Sequence, residues 1–186
     1  MLFLLGKGSK SNYIERHIQP NPDIYGPFWI SLTLVFSIAI CGNIANYLNS
    51  LTEPDKAYHW HYDYAKVGLA ASTIFTYVLV IPTTLCFFFW FRNCTITYTL
   101  FETICAYWYS LSVYVPISIL WVVNNRLIQL ILVIVGTLLS GTVLVMSFAP
   151  VVHSDPAKTI KTSYVILILI ILMHGALAFS FLEYFF

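Results

Sequence analysis

The nine residues Val165-Ile-Leu-Ile-Leu-Ile-Ile-Leu-Met173 contain no polar side chain and no alternation. A strand of a transmembrane β-barrel alternates apolar and polar positions over about ten residues, so this run reads as helix. Extended to its apolar limits it covers Tyr164 to Phe186. A helix needs about 20 such residues to cross about 30 Å of hydrocarbon at about 1.5 Å per residue. Four more stretches meet that requirement: Phe28 to Leu48, Val67 to Phe91, Tyr98 to Trp121 and Leu127 to Ala149. Of the nine basic and eight acidic residues, only Glu102 and Glu183 fall inside these spans. A charge at the centre of a span costs about 2.5 to 3.5 kcal/mol on the insertion scale, which accounts for their exclusion.

Composition points the same way. The 186 residues are 59 % hydrophobic and 9 % charged, with a mean hydropathy of +0.80, whereas soluble domains carry about 25 % charged residues. Long apolar runs and an aromatic content of 17 % oppose intrinsic disorder. A net charge of +1 without a basic run removes the footprint of a nucleic-acid binder. Met1 to Leu5 is too short for the apolar core of a signal peptide and is broken by Gly6 and Gly8, so the first span serves as the membrane signal. Lys7, Lys10, Arg16, Arg92, Lys158 and Lys161 would share the cytosolic side, against Lys56, Lys66 and Arg126 opposite. That asymmetry predicts a cytosolic N-terminus and, after five crossings, a lumenal C-terminus. The fold class expected is all-α integral membrane: a five-helix transmembrane bundle over 28-186 whose first partner is the lipid bilayer, preceded by a short cytosolic segment, 1-27.

Pro82 and Pro116 each remove a backbone donor within a span. Both predict a kink and carbonyls that a Ser, a Thr or a neighbouring helix must satisfy. Small residues recur at four-residue spacing: Ser37, Cys41 and Ala45; Gly136 with Ser140; Thr137 with Gly141; Ala176 with Ser180. Such ridges permit close helix approach, within the chain or between chains. The links Arg92 to Thr97 and Val122 to Arg126 are tight hairpins, and the loop Asn49 to Lys66 is the largest on the far side.

Two motifs stand out. Asp23-Ile-Tyr-Gly-Pro-Phe-Trp29 sits at the mouth of span one, and Ala106-Tyr-Trp-Tyr-Ser-Leu-Ser-Val-Tyr-Val-Pro116 lies within span three. Together with five spans, Gly42-Asn43, Ile117 to Trp121 and His174, they resemble the Yip-domain family, nearest the branch holding its first and second YIPF members. The resemblance runs from about Asn21 to the C-terminus. It implies a non-enzymatic protein of vesicle-mediated transport in the Golgi membrane, cycling with the endoplasmic reticulum or transport vesicles, with Rab GTPases and other Yip-domain proteins as partners. Family members carry a longer cytosolic region before the first span, so 1-27 is expected to be short relative to the family. Trp108 stands where the family pattern has glycine.

Tyr25, Phe28 and Trp29 suit an interfacial aromatic belt, with Pro27 at the first helical position and Gly26 permitting the turn. Asp23 and Tyr25 are alternatively part of a cytosolic docking surface. In span three the partner-binding or structural residues implied are Tyr107, Tyr109, Ser110, Tyr114 and Pro116. Glu102, one turn inside that span, is expected to hydrogen-bond another helix. His174, mid-span, needs a partner: Asn43, Asn46 or a hydroxyl of a span-three tyrosine. His59, His61 and Asp63 have a spacing that suits zinc or copper. The surrounding Tyr58, Trp60, Tyr62 and Tyr64 read instead as a loop on the membrane surface, so no metal or cofactor is assigned. Cys41, Cys86, Cys94 and Cys105 lack Cys-x-x-Cys spacing and read as packing residues, with Cys94 a juxtamembrane acylation candidate. The catalytic motifs sought, among them His-Glu-x-x-His and a phosphate-cradling glycine loop, are missing from the sequence. A small transporter or channel using Pro82, Pro116, Glu102 and His174 is the rival reading; a lipid-acting enzyme is the weaker one.

Overall fold

The computed structural model describes Ile14, Ile18 and residues 22–52, 61–94, 98–123, 125–154 and 160–184. Its regular elements are helical: α1 (Tyr25–Thr52), α2 (Ala65–Phe91), α3 (Leu100–Ser110), a 3-10 turn (Leu111–Val113), α4 (Tyr114–Leu120), α5 (Arg126–His153) and α6 (Ile160–Tyr184). Five segments are long and apolar enough to cross a membrane: Tyr25–Leu51, Ala65–Phe91, Leu100–Leu120, Arg126–His153 and Tyr164–Leu182. They coincide with the spans expected from hydropathy. The first begins three residues earlier than read and runs past Leu48, which shortens the far-side loop. The chain is therefore a multi-pass membrane protein.

Side chains start several helices. Asp23 accepts from the Tyr25 and Gly26 amides at 2.9 and 3.4 Å. Asp63 accepts from the Ala65 amide at 3.0 Å, and Asn125 caps α5 through the Leu127 and Ile128 amides at 3.0 and 3.4 Å. Each satisfies donors that a helix leaves orphaned in its first turn. Asn43 of α1 secures the start of α2: its Oδ1 accepts from the Asp63 amide at 2.8 Å, and its Nδ2 donates to the Asp63 carbonyl at 3.3 Å and the Ala39 carbonyl at 2.8 Å. Pro27 is the third residue of α1, a correction to its expected first position. Its missing N–H costs nothing there, because the first four helical amides have no partner within the helix.

The third span, made of α3, the 3-10 turn and α4, is the most enclosed of the five and packs against α1, α2 and α5. It is broken where proline demands it. The Pro116 ring would crowd the carbonyl four residues back, at Ser112, and the tighter 3-10 turn holds that residue. Within the turn the Tyr114 amide donates to the Leu111 and Ser112 carbonyls, and the carbonyl of the N-cap residue Ser110 also accepts the Ser140 hydroxyl of α5. Pro82, by contrast, lies inside an unbroken α2. Thr83 and Thr84 donate to the Leu79 and Val80 carbonyls of the preceding turn.

The small-residue ridge of α5 packs within the chain. Gly136 and Ser140 are buried against the third span, and a Cβ at Gly136 would run into the Ile117 δ-methyl. α6 packs along α5, and α1 along α2, but α2 and α6 do not pack along their lengths among the described residues.

Candidate functional site

A chain of hydrogen bonds crosses the bundle interior. His174 of α6 is fully buried, with Nδ1 2.8 Å from the Tyr77 hydroxyl of α2 and Nε2 3.4 Å from the Tyr114 hydroxyl of α4. The Tyr114 hydroxyl lies 3.2 Å from Oγ1 of Thr137, which donates at 2.7 Å to the Val133 carbonyl of its own helix, α5. The protons fall into one consistent order. Thr137 spends its only proton on Val133, so it accepts from Tyr114; Tyr114 then accepts from Nε2–H, and the bare Nδ1 accepts from Tyr77. Four helices are thereby tied through one imidazole. Phe181 closes over Tyr114 edge-on at 5.5 Å, and Tyr107 borders Tyr77 at 5.8 Å.

Of the partners expected for His174, the span-three tyrosine is present as Tyr114, whereas Asn43 is committed to Asp63. Tyr77 was missed. A single tyrosine in mid-span two looks like packing until the facing helix is known.

The two sequence motifs meet. The Cys105 thiol donates to the Asp23 carbonyl at 3.4 Å, and a Cβ at Gly26 would stand 3.3 Å from both Asp23 Oδ2 and the Tyr109 hydroxyl. A side chain at Gly26 would therefore crowd the Asp23 carboxylate and the Tyr109 hydroxyl. Asp23 uses its carboxylate as the cap of α1, while Tyr25, at 73 % exposure, and the neighbouring Trp29 and Phe28 present an aromatic cluster outward. Pro27 is buried behind them.

Tyr107 is fully buried against Phe148 at 5.7 Å, and neither its hydroxyl nor the buried Trp108 indole N–H has a hydrogen-bond partner among the described residues. Ser110 donates to the Tyr107 carbonyl at 2.7 Å. Glu102 corrects the expectation of a bond to another helix. Its carboxylate accepts from the Thr99 amide at 2.7 Å while the Glu102 amide donates to Thr99 Oγ1 at 3.3 Å, a closed capping box on its own helix. The sequence carries its signal, Thr99-x-x-Glu102.

His59 lies outside the described residues, so the His59, His61, Asp63 spacing has no geometry here. Among the described residues no three His, Cys, Asp or Glu side chains converge as metal ligands. Cys94, the acylation candidate, is buried.

The Yip1 domain model matches residues 9–179. The chain belongs to the Yip1 domain family. Among curated relatives of this Yip1 domain chain, a protein YIPF1 homolog of Dictyostelium discoideum is 36 % identical over 141 residues, 76 % of this chain and 39 % of that protein. Protein YIP5 of Schizosaccharomyces pombe is 26 % identical over 170 residues, 88 % of this chain and 65 % of that protein. The chain thus spans less than two thirds of either relative. No solved structure matches. In Yip1 domain terms, the matched region takes in both motifs, all of α1 to α5 and the buried His174.

Proposed function

We propose that this chain is a non-enzymatic scaffold of vesicle-mediated transport in Golgi membranes, cycling with the endoplasmic reticulum, that binds Rab GTPases and other Yip-domain proteins. The observation supporting this reading is the Yip1 domain match across residues 9–179. The geometry is compatible with it. The His174 hydrogen-bond chain ties four helices together, as a scaffold needs, and the exposed aromatics at the mouth of α1 offer a surface beside the membrane. Asp23 and Tyr25 form the docking face in this reading, with Gly26, Pro27 and Tyr109 packed behind it and the mouth of α1 on the cytosolic side. Tyr107, Ser110, Tyr114, Pro116, Glu102 and His174 keep that face in shape.

Mild-detergent purification of the tagged chain from cells, with mass spectrometry, tests the proposal. Recovery of Yip-domain paralogues and a Rab, with the Rab lost on Tyr25→Ala, is the expected result. If neither class is recovered the scaffold reading fails, and flux through reconstituted protein becomes the next measurement.

A further inference from the structure

A cleft of about 470 Å³ opens between α2 and α6, lined by Ser72, Thr73, Thr76 and Tyr77 on one wall and by Ala176 and Ser180, among others, on the other. Ile81 and Met173 carry it into a second cavity of about 210 Å³, whose remaining lining is Thr84, Leu85, Leu169 and Ile170. The two form one groove along the membrane depth, since Ser72 and Leu85 lie thirteen residues apart on one helix, about 20 Å at 1.5 Å per residue. Volumes of this size are typical of small-ligand sites.

The groove is graded. Its hydroxyls gather in the half nearest the start of α2 and the end of α6, and the other half is aliphatic apart from Thr84, which is bonded to the Val80 carbonyl. A polar end near one membrane face and an apolar end reaching past the midplane match an amphiphile. Among the described residues no charged side chain lines either cavity, so a phosphate head would find no counter-ion among them and be desolvated. The hydroxyls whose protons can be placed are acceptors: Ser72 donates to Leu69, Ser180 to Leu177 and Tyr77 to His174. They leave lone pairs for a head with more than one O–H or N–H donor.

We propose that the α2–α6 groove binds a neutral lipid of the ceramide class, its amide and hydroxyl donors among Ser72, Tyr77 and Ser180 and its chain along Ile81, Leu85 and Leu169. The proposal does not depend on the scaffold reading.

The test uses the full chain in vesicles with a photoactivatable ceramide and, separately, a photoactivatable phosphatidylcholine. Ceramide labelling on α2 and α6, competed by unlabelled ceramide and reduced about tenfold by Ala176→Phe, is expected. Thermal unfolding of Ala176→Phe, whose site faces the open groove, establishes that the variant is folded, and Ser72→Leu provides a second groove-filling variant. Equal labelling by phosphatidylcholine, labelling indifferent to both variants, or disulfide trapping of two Thr76→Cys chains through this face would each overturn the proposal, the last by assigning the groove to a second copy. Loss of paralogue binding with retained ceramide labelling would sink the scaffold reading alone.

Discussion

The Tyr77 hydroxyl donates to His174 Nδ1 over 2.8 Å, joining two helices that otherwise stand apart around a cleft. Interhelical hydrogen bonds in membranes average about 0.6 kcal/mol and reach about 1.7 kcal/mol. A double-mutant cycle with Tyr77→Phe and His174→Ala, read by thermal unfolding in detergent, is expected to return a coupling in that range. Additive effects would mean the bond contributes nothing.

Gly136 admits the Ile117 side chain at the crossing of α5 and α4. Gly136→Leu should cost about 1 to 3 kcal/mol, the usual penalty of overpacking. Ile117→Ala in the same chain should return part of that stability. Failure of the second change to rescue the first would place the clash elsewhere.

Glu102 is bound to the start of its own helix rather than to a pathway through the bundle. Glutamine serves at this capping-box position as glutamate does, so Glu102→Gln should leave stability and partner recovery near wild type. Thr99→Ala should cost about 1 kcal/mol as a lost cap. A Glu102→Gln chain that folds but loses function would revive the transporter reading.

Asn93, at φ 51° in the turn after α2, opens the glycosylation pattern Asn93-Cys94-Thr95. With a cytosolic N-terminus this turn is cytosolic too, so Asn93 should carry no glycan, while an acceptor engineered into residues 53–60 should gain one. A glycosidase-sensitive mobility shift reads both; the opposite pattern inverts the bundle.

The spans were legible because hydrophobic length alone selects them, and Pro116 announced the break in the third span. The partners of the polar residues were not legible in the same way. Which helix His174 faces depends on the rotation of every span about its axis, and hydropathy carries little of that information when the apolar stripes are nearly continuous. Asn43 shows the difficulty: its depth suited His174, yet a backbone turn at Asp63 claimed it. The Glu102 cap was different, since Thr99 three residues before it supplied the signature. Side chains on a helix lean toward its N-terminus, which brings the Tyr109 hydroxyl back toward the depth of Gly26, but which helix it faces again depends on rotation.

The buried hydrogen-bond chain joins residues far apart in order of synthesis, Tyr77, Tyr114, Thr137 and His174. Ribosomes deliver the third span before Thr137 and His174 exist, so Tyr114 first meets lipid with its hydroxyl unmatched. Its partners arrive only with the fourth and fifth spans, and an intermediate lacking them exposes polar groups to hydrocarbon. Damage to α6 therefore costs the bundle more than one helix, because Tyr77 and Tyr114 lose their shared partner together.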